Sequence, residues 1–265
     1  MGLRINLNAD LAEGWGPYDI GNDAELMKII GSASVACGFH GGDHNSMHRI
    51  CMLAKAEGVS IGAHPGFNDL WGFGRRQIQM APADIEYMTA YQIGALQAIA
   101  RYADIAVTHL KPHGALANMA AVDESYAMAI GRAIRAVDRD LIYVALAGSE
   151  MIKAAQKLGL PFAREGFADR AYEDDGNLAS RSTPDSVYKD PQRALEQCLR
   201  LIEKGEVISR HGNKVRVDVD TICLHGDEPT AVAVAGAVRQ GIDAAGIELV
   251  TLPQMLAGVQ AAPKR

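Results

Sequence analysis

The sequence contains little cysteine, and the cysteines it has follow no metal or redox motif. The four are widely separated and include no C-x-x-C pair: Cys37, Cys51, Cys198 and Cys223. This spacing excludes a zinc knuckle and a thioredoxin-type motif. A chain of 265 residues with so few cysteines is also not expected to have a disulfide framework.

Long apolar runs and runs of one charge are also absent. No uninterrupted apolar stretch approaches the roughly 20 residues that a membrane-spanning helix requires. The chain enters residues 3–7 directly, without the basic and then apolar pattern of a signal peptide. The formal net charge is −6 and no Lys/Arg run occurs, which disfavours nucleic acid and anionic membranes as partners. We therefore expect a cytoplasmic protein that binds neither a nucleic acid nor a membrane.

Several common catalytic and phosphate-binding motifs are missing as well. No G-x-x-x-x-G-K-[ST] occurs and no G-x-G-x-x-G follows a strand, so a nucleotide is not held here by a standard loop. The zincin motif H-E-x-x-H fails because position 45 is Asn. Ser149 lacks the surrounding G-x-S-x-G and is interpreted as a helix N-cap, and Cys37 is interpreted as a buried core thiol.

What the chain does contain is a repeated succession of buried strand, polar turn and helix. The predicted strands are residues 3–8, 35–37, 59–63, 105–110, 141–146, 162–167 and 221–224, with 247–250 as an eighth strand or an edge. Helices are predicted between them, including 22–30, 122–136 and one that begins at Pro229. Residues 205–219 are predicted to form a small hairpin. Alternating βα units of this number indicate a parallel sheet with helices outside. No linker divides the chain, so we expect residues 1–265 to form a single α/β domain, a parallel (β/α) barrel of about seven units.

Residues 34–44 show this pattern most clearly. A short apolar run ends at Gly38, and two histidines, an aspartate and two more glycines follow. Glycines at such a bend allow a sharp turn and let a ligand approach the backbone. Asn45 is predicted to cap the helix that follows. A buried strand therefore delivers His40 and Asp43 to a Gly-rich bend.

Charged and polar side chains follow the predicted strands along the whole chain. Because the carboxyl ends of barrel strands meet at one end, we expect these residues to form an active site. They are Asp10, His40, Asp43, His64, Lys111, His113, Asp169, Arg170, His225 and Asp227. The long loop 67–76, with three aromatic residues and paired arginines, is interpreted as a lid or substrate wall. Arg170 and Arg181 offer bidentate recognition of a carboxylate or phosphate, with ordinary surface arginines as the alternative.

Asp10, His40 and His64 form a candidate metal site. Imidazole and carboxylate ligands suit zinc or a similar divalent ion, and a hydrogen-bonded cluster without metal is the alternative. Lys111, at a strand end in a predominantly apolar barrel mouth, needs a partner. It binds an anion, polarises a carbonyl group or pairs with Asp169.

Seven short motifs, taken in order, resemble the LamB/YcsF family over residues 5–252. They are NADL at 8–11, ACGFH at 36–40 with Gly42-Asp43, GAHPG at 62–66, GFGRR at 72–76, KPHGAL at 111–116, FADRAY at 167–172 and HGD at 225–227. That family is the A subunit of bacterial ATP-dependent 5-oxoprolinase. Two positions depart from its usual pattern. Ala12 stands where Gly is usual, and Ala117 stands where Tyr is usual, which removes a hydroxyl from the expected pocket.

The resemblance implies a distorted parallel (β/α) barrel like those of the glycoside hydrolase/deacetylase superfamily. It implies hydrolysis of 5-oxo-L-proline to L-glutamate, in which a lactam C–N bond is cleaved with ATP as co-substrate. It also implies a complex with partner subunits B and C. The missing phosphate loop agrees with ATP being handled by those partners.

We assign catalysis by this chain to Asp10, His40, His64, Lys111 and His113. Asp10 and His40 position and deprotonate water, directly or through a divalent metal. His64 or His113 protonates the departing nitrogen, and Lys111 stabilises the developing oxyanion. Substrate binding is assigned to Asp43, Arg75, Asp169, Arg170, Arg181, His225 and Asp227, with Arg170 or Arg181 on the substrate carboxylate.

Two other functions remain open. One is a stand-alone metal-dependent amidase or deacetylase, motivated by the candidate ligands Asp10, His40 and His64. The other is a non-catalytic component of the complex, whose barrel delivers substrate to its partners. The resemblance favours the 5-oxoprolinase subunit over these two alternatives.

Overall fold

The computed structural model describes residues 2–225 and 230–257 of the chain. Its strands, in chain order, are β1 (Arg4–Leu11), β2 (Ser32–Ala36), β3 (Ser60–His64), β4 (Val107–Leu110), β5 (Ile142–Leu146), β6 (Phe162–Phe167), β7 (Glu206–Ile208), β8 (Lys214–Arg216), β9 (Thr221–Leu224) and β10 (Glu248–Leu249). Its helices are α1 (Asp23–Met27), α2 (His44–Glu57), α3 (Pro82–Ala100), α4 (Gly114–Val122), α5 (Glu124–Val137), α6 (Glu150–Leu158), α7 (Pro191–Lys204), α8 (Ala231–Ala244) and α9 (Leu252–Ala257). None of the helices in this part of the chain is long and apolar enough to cross a membrane.

Seven strands of the described residues form a closed parallel barrel. They run around it in the order β1, β2, β3, β4, β5, β6 and β9, and β9 pairs with β1 to close the ring. β10 lies outside as an edge strand parallel to β1, and β7 and β8 form the hairpin predicted in residues 205–219. The prediction of a parallel (β/α) barrel of about seven units is confirmed. That residues 1–265 form one domain stays a prediction.

The alternation of side chains along β1 explains how the barrel is filled. Leu7 and Ala9 are buried in the hydrophobic core that the strands share with the helices. The intervening Asn8 is also buried, and its Nδ2 donates to Thr221 Oγ1 at 2.8 Å and to Glu165 Oε1 at 3.0 Å. Successive side chains of a strand point to opposite faces. The apolar face therefore packs on the helices. The inside of the barrel near its mouth is polar, whereas the sequence indicated an apolar barrel mouth.

Two predicted helices have different boundaries. The helix expected over 22–30 ends earlier, because α1 closes at Met27. The helix expected over 122–136 is in fact α5, preceded by α4, which the sequence interpretation missed. Asp123 separates the two with an extended backbone (φ −121°, ψ 110°), and its carboxylate accepts a hydrogen bond from the Ser125 N–H at 2.8 Å. An N-cap residue is not helical itself, so one helix ends where the next is capped. The helix start predicted at Pro229 lies outside the described residues.

Candidate active site

Four side chains converge at the carboxyl end of the barrel, each from a different strand. Glu13 follows β1, His40 follows β2, His64 is the last residue of β3, and His113 lies in the turn after β4. One nitrogen or oxygen atom of each lies within 4.8 Å of the others. Oε1 of Glu13 is 3.0 Å from Nε2 of His40 and 3.3 Å from Nδ1 of His113. We refer to these four residues as the His/Glu cluster.

Backbone carbonyl groups determine which nitrogen carries the proton in two of these rings. Nδ1 of His64 donates to the carbonyl oxygen of Lys111 at 2.7 Å, and Nε2 of His113 donates to that of Phe73 at 2.7 Å. A carbonyl oxygen only accepts, so the unprotonated nitrogens of the neutral rings face each other. These are Nε2 of His64 and Nδ1 of His113, which are 3.0 Å apart. Two such lone pairs repel each other, and a cation bound to both removes the repulsion.

Burial favours the neutral form of two of the rings, those of His40 and His113. Burial, followed by the charge of His64, lowers the pKa of His40 well below its ordinary value. Burial, followed by the charge of His40, does the same to the pKa of His113. Neutral imidazole and ionised carboxylate are the forms that bind zinc and similar divalent ions. The cluster therefore fits a divalent metal. It contains two of the three predicted ligands, His40 and His64, together with Glu13 and His113. The third predicted ligand, Asp10, lies next to the cluster.

The loop 67–76 and the turn before it form the wall behind His40. A Cβ atom at Gly66 would lie 2.6 Å from Nδ1 of His40, and one at Gly74 would lie 2.6 Å from Cβ of His40. Gly74 also has a positive φ of 63°, which a side chain would strain. On its other face, the His40 ring stacks on His113 with centroids 3.7 Å apart. Glycine is required here so that the backbone can lie directly against the ring.

A buried ionic network lies beside the cluster. Nζ of Lys111 is 2.8 Å from Oδ1 of Asp10 and donates to Oε1 of Glu165 at 3.0 Å. The other oxygen of Asp10 is 3.2 Å from Nε2 of His64. The predicted pairing of Lys111 with Asp169 is wrong, because Lys111 pairs with Asp10 and Glu165 instead.

The pairing keeps Asp10 and Lys111 charged despite their burial. Burial acts to raise the pKa of Asp10, but His64 and Lys111 outweigh it and hold that pKa well below its ordinary value. Burial acts to lower the pKa of Lys111, but Asp10 and the other acidic groups around it raise that pKa well above its ordinary value. A nearby opposite charge stabilises each ionised form. The site therefore presents a fixed ammonium group to whatever enters it.

A cavity of about 600 Å³ opens at this end of the barrel. Most of the sequence-predicted site residues line it, namely Asp10, His64, Arg75, Lys111, His113, Arg170, Arg181 and His225. Ala117 lies in its wall as well. Two other predicted residues lie behind this lining, His40 against the ring of His113 and Asp169 against His225. Asp227 lies outside the described residues.

His225 and Asp169 form a hydrogen-bonded pair at the ends of β9 and β6. Nδ1 of His225 lies 2.9 Å from Oδ1 and 2.8 Å from Oδ2 of Asp169. The imidazole ring stacks on Phe167, with centroids 5.6 Å apart. The carboxylate therefore fixes the orientation of the ring, and the ring forms part of the cavity surface.

Arg170 is held in the cavity wall by backbone groups. Its Nε donates to the carbonyl oxygen of Ser186 at 3.2 Å and its Nη2 donates to that of Ala179 at 2.6 Å. Burial, followed by the charge of Arg181, lowers the pKa of Arg170 to about 10. Arg170 still remains a cation at neutral pH. Together with Arg75 and Arg181, three guanidinium groups thus line one cavity, which favours an anionic ligand.

Asp43 serves the start of α2 instead of lining the cavity. Its carboxylate accepts from the N–H groups of Asn45 at 2.8 Å, Ser46 at 2.9 Å and Gly16 at 2.7 Å. Ser46 Oγ in turn accepts from the Asp43 N–H, which completes a capping box. The prediction that Asn45 caps this helix is therefore wrong by two positions.

The two side chains interpreted as structural have structural surroundings. Cys37 is buried, its Sγ lies 3.2 Å from the carbonyl oxygen of Val35, and burial raises the pKa of its thiol to about 12. Ser149 is the N-cap residue of α6, and its Oγ donates to the carbonyl oxygen of Leu146 at 2.7 Å. Neither lines the cavity.

The sequence interpretation missed two carboxylates, Glu13 and Glu165. Glu13 lies three residues after Asp10 and was present in the first polar loop. Glu165 is a charged residue inside a strand predicted to be buried, and such a residue needs a partner. That signal was available, and the partner proves to be Lys111.

A closed parallel barrel with imidazole and carboxylate groups at the carboxyl ends of its strands defines a (β/α)-barrel protein with its candidate active site at the barrel mouth. The structure of the T48 deacetylase has this fold, with a TM-score of 0.51 at 17% identity, over 97% of this chain and 92% of that one. The relationship is one of fold.

The chain belongs to the LamB/YcsF family, whose model matches residues 5–257. A relative from Rhodopseudomonas palustris, named as the A subunit of 5-oxoprolinase, is 52% identical over 92% of this chain and 96% of its own length. The crystal structure of a lactam utilization protein from Thermus thermophilus has a TM-score of 0.90 at 42% identity, over 94% of this chain and 100% of that one. The family resemblance carried by the seven motifs is confirmed.

Proposed function

We propose that this chain is the A subunit of an ATP-dependent 5-oxoprolinase, which opens the ring of 5-oxo-L-proline to give L-glutamate. Support comes from relatives named as the A subunit of 5-oxoprolinase, such as the one at 52% identity. One observation carries the proposal for this chain: two histidines of the His/Glu cluster, His64 and His113, line the same cavity as the Asp10–Lys111 pair. Hydrolysis of an amide needs an activated water and positive charge near the carbonyl oxygen.

The His/Glu cluster is the proposed site of a divalent metal. Glu13, His40, His64 and His113 would hold it, which revises the ligand set expected from the sequence. When bound, such an ion polarises a carbonyl oxygen and lowers the pKa of water. The facing lone pairs of His64 and His113, 3.0 Å apart, support the proposal.

The remaining catalytic roles follow from charge and position. Asp10 is ionised, because its pKa is held low, and in this form it accepts the proton of the attacking water. Lys111 supplies positive charge beside the lactam carbonyl oxygen and the phosphoryl group that this oxygen carries after activation. Arg170 and Arg181 bind the carboxylate of the substrate, which suits a cavity lined by three guanidinium groups, these two and that of Arg75.

ATP enters the proposal as the co-substrate of a complex with subunits B and C. A lactam is stabilised by resonance and its liberated amine recloses readily, so phosphorylation of the carbonyl oxygen assists opening. This chain has no G-x-x-x-x-G-K-[ST] loop, and the partners are therefore assigned the phosphorylation. This chain then adds water to the activated ring, and the C–N bond breaks as the nitrogen is protonated. A second water releases the phosphate and leaves L-glutamate. The cytoplasmic location stays a prediction.

The proposed activity is tested by measuring L-glutamate and ADP formed from 5-oxo-L-proline and ATP. We expect turnover when this chain is combined with subunits B and C, and none when the chain or the partners are assayed alone. Turnover without ATP and without partners would instead identify a stand-alone amidase. Turnover by the partners alone would contradict a catalytic role and leave this chain a role in substrate delivery.

The metal is tested separately from the activity. Zinc binding is measured by titration and by metal content after chelator treatment, in the original protein and in two histidine variants. We expect His113→Ala to weaken binding at least about tenfold, because it removes a ligand. His48→Ala is the matched control, since His48 is an exposed histidine on α2 outside the cluster. Equal affinity of the two variants would remove the metal from the proposal.

A stand-alone metal-dependent amidase or deacetylase is the second candidate. The His/Glu cluster on a deacetylase-type barrel favours it. This candidate predicts amide hydrolysis that needs no ATP and that a chelator abolishes. Its expected substrates still carry a carboxylate, because Arg170 and Arg181 line the same cavity.

A further inference from the structure

The arginines of the cavity lie on two sides of its mouth. We propose that Arg75, on one side, binds the phosphoryl group of an activated lactam, while Arg170 and Arg181, on the other, bind the carboxylate of the same molecule. The inference rests on the proposed function and specifies the substrate class of this chain, a lactam that carries a carboxylate and is phosphorylated on its carbonyl oxygen. From the sequence, Arg75 was expected only to bind substrate.

The two sides follow from the order of the strands around the barrel. Arg75 lies in the loop 67–76, which follows β3, whereas Arg170 and Arg181 lie in the segment that follows β6. In one direction around the ring these strands are separated by β4 and β5, and in the other by β9, β1 and β2. All three arginines line the one cavity. A ligand bound between them therefore has a guanidinium group at each end.

Aromatic contacts hold Arg75 on the side of the His/Glu cluster. Its Cζ lies 4.9 Å from the centroid of the Phe73 ring. That ring meets the rings of His40 and His113 edge to face, with centroids 5.7 Å and 5.2 Å apart. Stacking engages the face of a guanidinium group, whose N–H donors lie in its plane. Arg75 is therefore placed beside the groups proposed to activate water, and so beside the reacting carbonyl oxygen and the phosphoryl group on it.

The arginines on the other side are sufficient for the carboxylate. Arg170 is only 7% exposed, and the backbone carbonyl groups of Ser186 and Ala179 fix its guanidinium group in the cavity wall. Arg181 lines the same side. One arginine is able to bind a carboxylate through two parallel N–H donors. A third guanidinium group on the opposite side therefore points to a second anion.

Lys111 does not hydrogen-bond that second anion itself. Four acceptor atoms surround its Nζ within 3.2 Å, namely Asn8 Oδ1, Asp10 Oδ1, Glu165 Oε1 and Cys223 Sγ. An ammonium group has only three N–H donors. Lys111 therefore contributes positive charge, and the hydrogen bonds to a phosphoryl group come from another cation of the cavity.

The charge of the ligand distinguishes the phosphorylated lactam from the free one. Free 5-oxo-L-proline carries a single negative charge, on its carboxylate. A phosphoryl group adds about 1.5 to 2 negative charges at neutral pH, together with three strong acceptor oxygens. Guanidinium groups on both sides of the cavity therefore suit the phosphorylated lactam, which has an anion at each end, better than the free lactam.

The first test measures two affinities of the chain alone by calorimetric titration. The probes are 5-oxo-L-proline, and inorganic phosphate added after 5-oxo-L-proline has filled the carboxylate side. We expect Arg75→Gln to weaken phosphate binding about 10- to 100-fold, the usual effect of losing charge-assisted hydrogen bonds, and to leave 5-oxo-L-proline binding unchanged. Arg181→Gln should weaken 5-oxo-L-proline binding instead. Arg101→Gln, at an exposed arginine after α3 and outside the cavity, is the matched control and should change neither affinity.

The second test measures the ADP formed per L-glutamate by the assembled complex. An activated lactam that this chain does not hold loses its phosphoryl group to water, which regenerates 5-oxo-L-proline and releases phosphate. We therefore expect Arg75→Gln to raise the ratio of ADP to L-glutamate about tenfold or more. Arg75→Lys keeps the charge without the planar fork and should give an intermediate ratio. Arg101→Gln should keep the ratio of the original complex.

Three results would overturn the proposal. Equal weakening of both probes by Arg75→Gln would mean that Arg75 acts only through the overall charge of the cavity. An unchanged phosphate affinity, or an unchanged ratio of ADP to L-glutamate, would remove the phosphoryl group from Arg75. If the original complex forms no L-glutamate, the proposed function fails and the phosphorylated lactam with it, whereas the two affinities still decide whether Arg75 binds phosphate.

Discussion

Lys111 is a buried cation held between two carboxylates. Its Nζ lies 2.8 Å from Asp10 and 3.0 Å from Glu165, and its side chain is almost inaccessible to water. Removing both partners would leave an unpaired charge in the interior, which is strongly destabilising. Having two partners lets one of them take part in chemistry while the other keeps the ammonium group paired.

At the residue scale, Asp10→Asn separates catalysis from stability. We expect turnover of the assembled enzyme to fall by at least about 10²-fold, because the amide cannot accept the proton of the attacking water. Folding should persist, since Glu165 still pairs Lys111. Steady-state kinetics and thermal unfolding measure the two effects. Asp104→Asn, at an exposed aspartate paired with Lys55, is the control, and near-normal turnover by Asp10→Asn would remove it from the mechanism.

At the scale of elements, the loop 67–76 determines the position of His40. Gly74→Ala places a Cβ atom 2.6 Å from His40 and 2.9 Å from His113, at a positive φ. We expect a loss of unfolding free energy above about 1 kcal/mol and weaker zinc binding. Gly148→Ala is the matched control, because Gly148 also has a positive φ but a Cβ atom added there would have no other atom within 4 Å. Equal losses in both variants, with zinc affinity retained, would contradict a role of the loop in shaping the cluster.

The start of α2 allows a test of what Asp43 does. Asp43→Ala should lower the free energy of unfolding by about 1 kcal/mol, because it removes an N-cap. Asp43→Ser retains a capping oxygen and should be close to the original protein in stability. Denaturant unfolding gives both values. If Asp43 instead binds substrate, both variants raise KM alike, whatever their stability.

At the scale of the whole molecule, several buried neutral histidines make the fold sensitive to acid. Burial, followed by the charge of Lys111, lowers the pKa of His109 to about 3, and His40 and His113 have lowered pKa values as well. The unfolded chain takes up protons below about pH 6.5 while the folded chain does not. The unfolded state then binds more protons, so stability falls as the pH decreases through this range.

The measurement is unfolding by urea between pH 7.5 and 5, with a chelator present so that metal binding does not contribute. Each such histidine adds a slope of up to about 1.4 kcal/mol per pH unit. His109→Gln should reduce the slope by about that amount. His48→Gln, at an exposed site, should leave it unchanged. A slope that His109→Gln does not alter would show that His109 binds a proton in the folded state.

The strand sequence of the barrel and the end at which its site lies were predictable from the chain. Apolar runs followed by polar turns located all seven barrel strands, with shifts of a few residues, and placed His40, His64, His113 and His225 at strand ends. α4 was missed because the segment after the fourth strand was interpreted as a turn, whereas the helix predicted from residue 122 corresponds to α5, which Asp123 caps.

The sequence by itself determined the elements and the family, because strand and helix periodicity and short motifs are local properties of the chain. The tertiary structure decided which residues act together. Glu13 joins the histidines, and Glu165 rather than Asp169 pairs Lys111, because closure of the ring brings the strand ends into contact. It also decided the protonation of His64 and His113, since the carbonyl groups that accept their protons come from other segments of the chain.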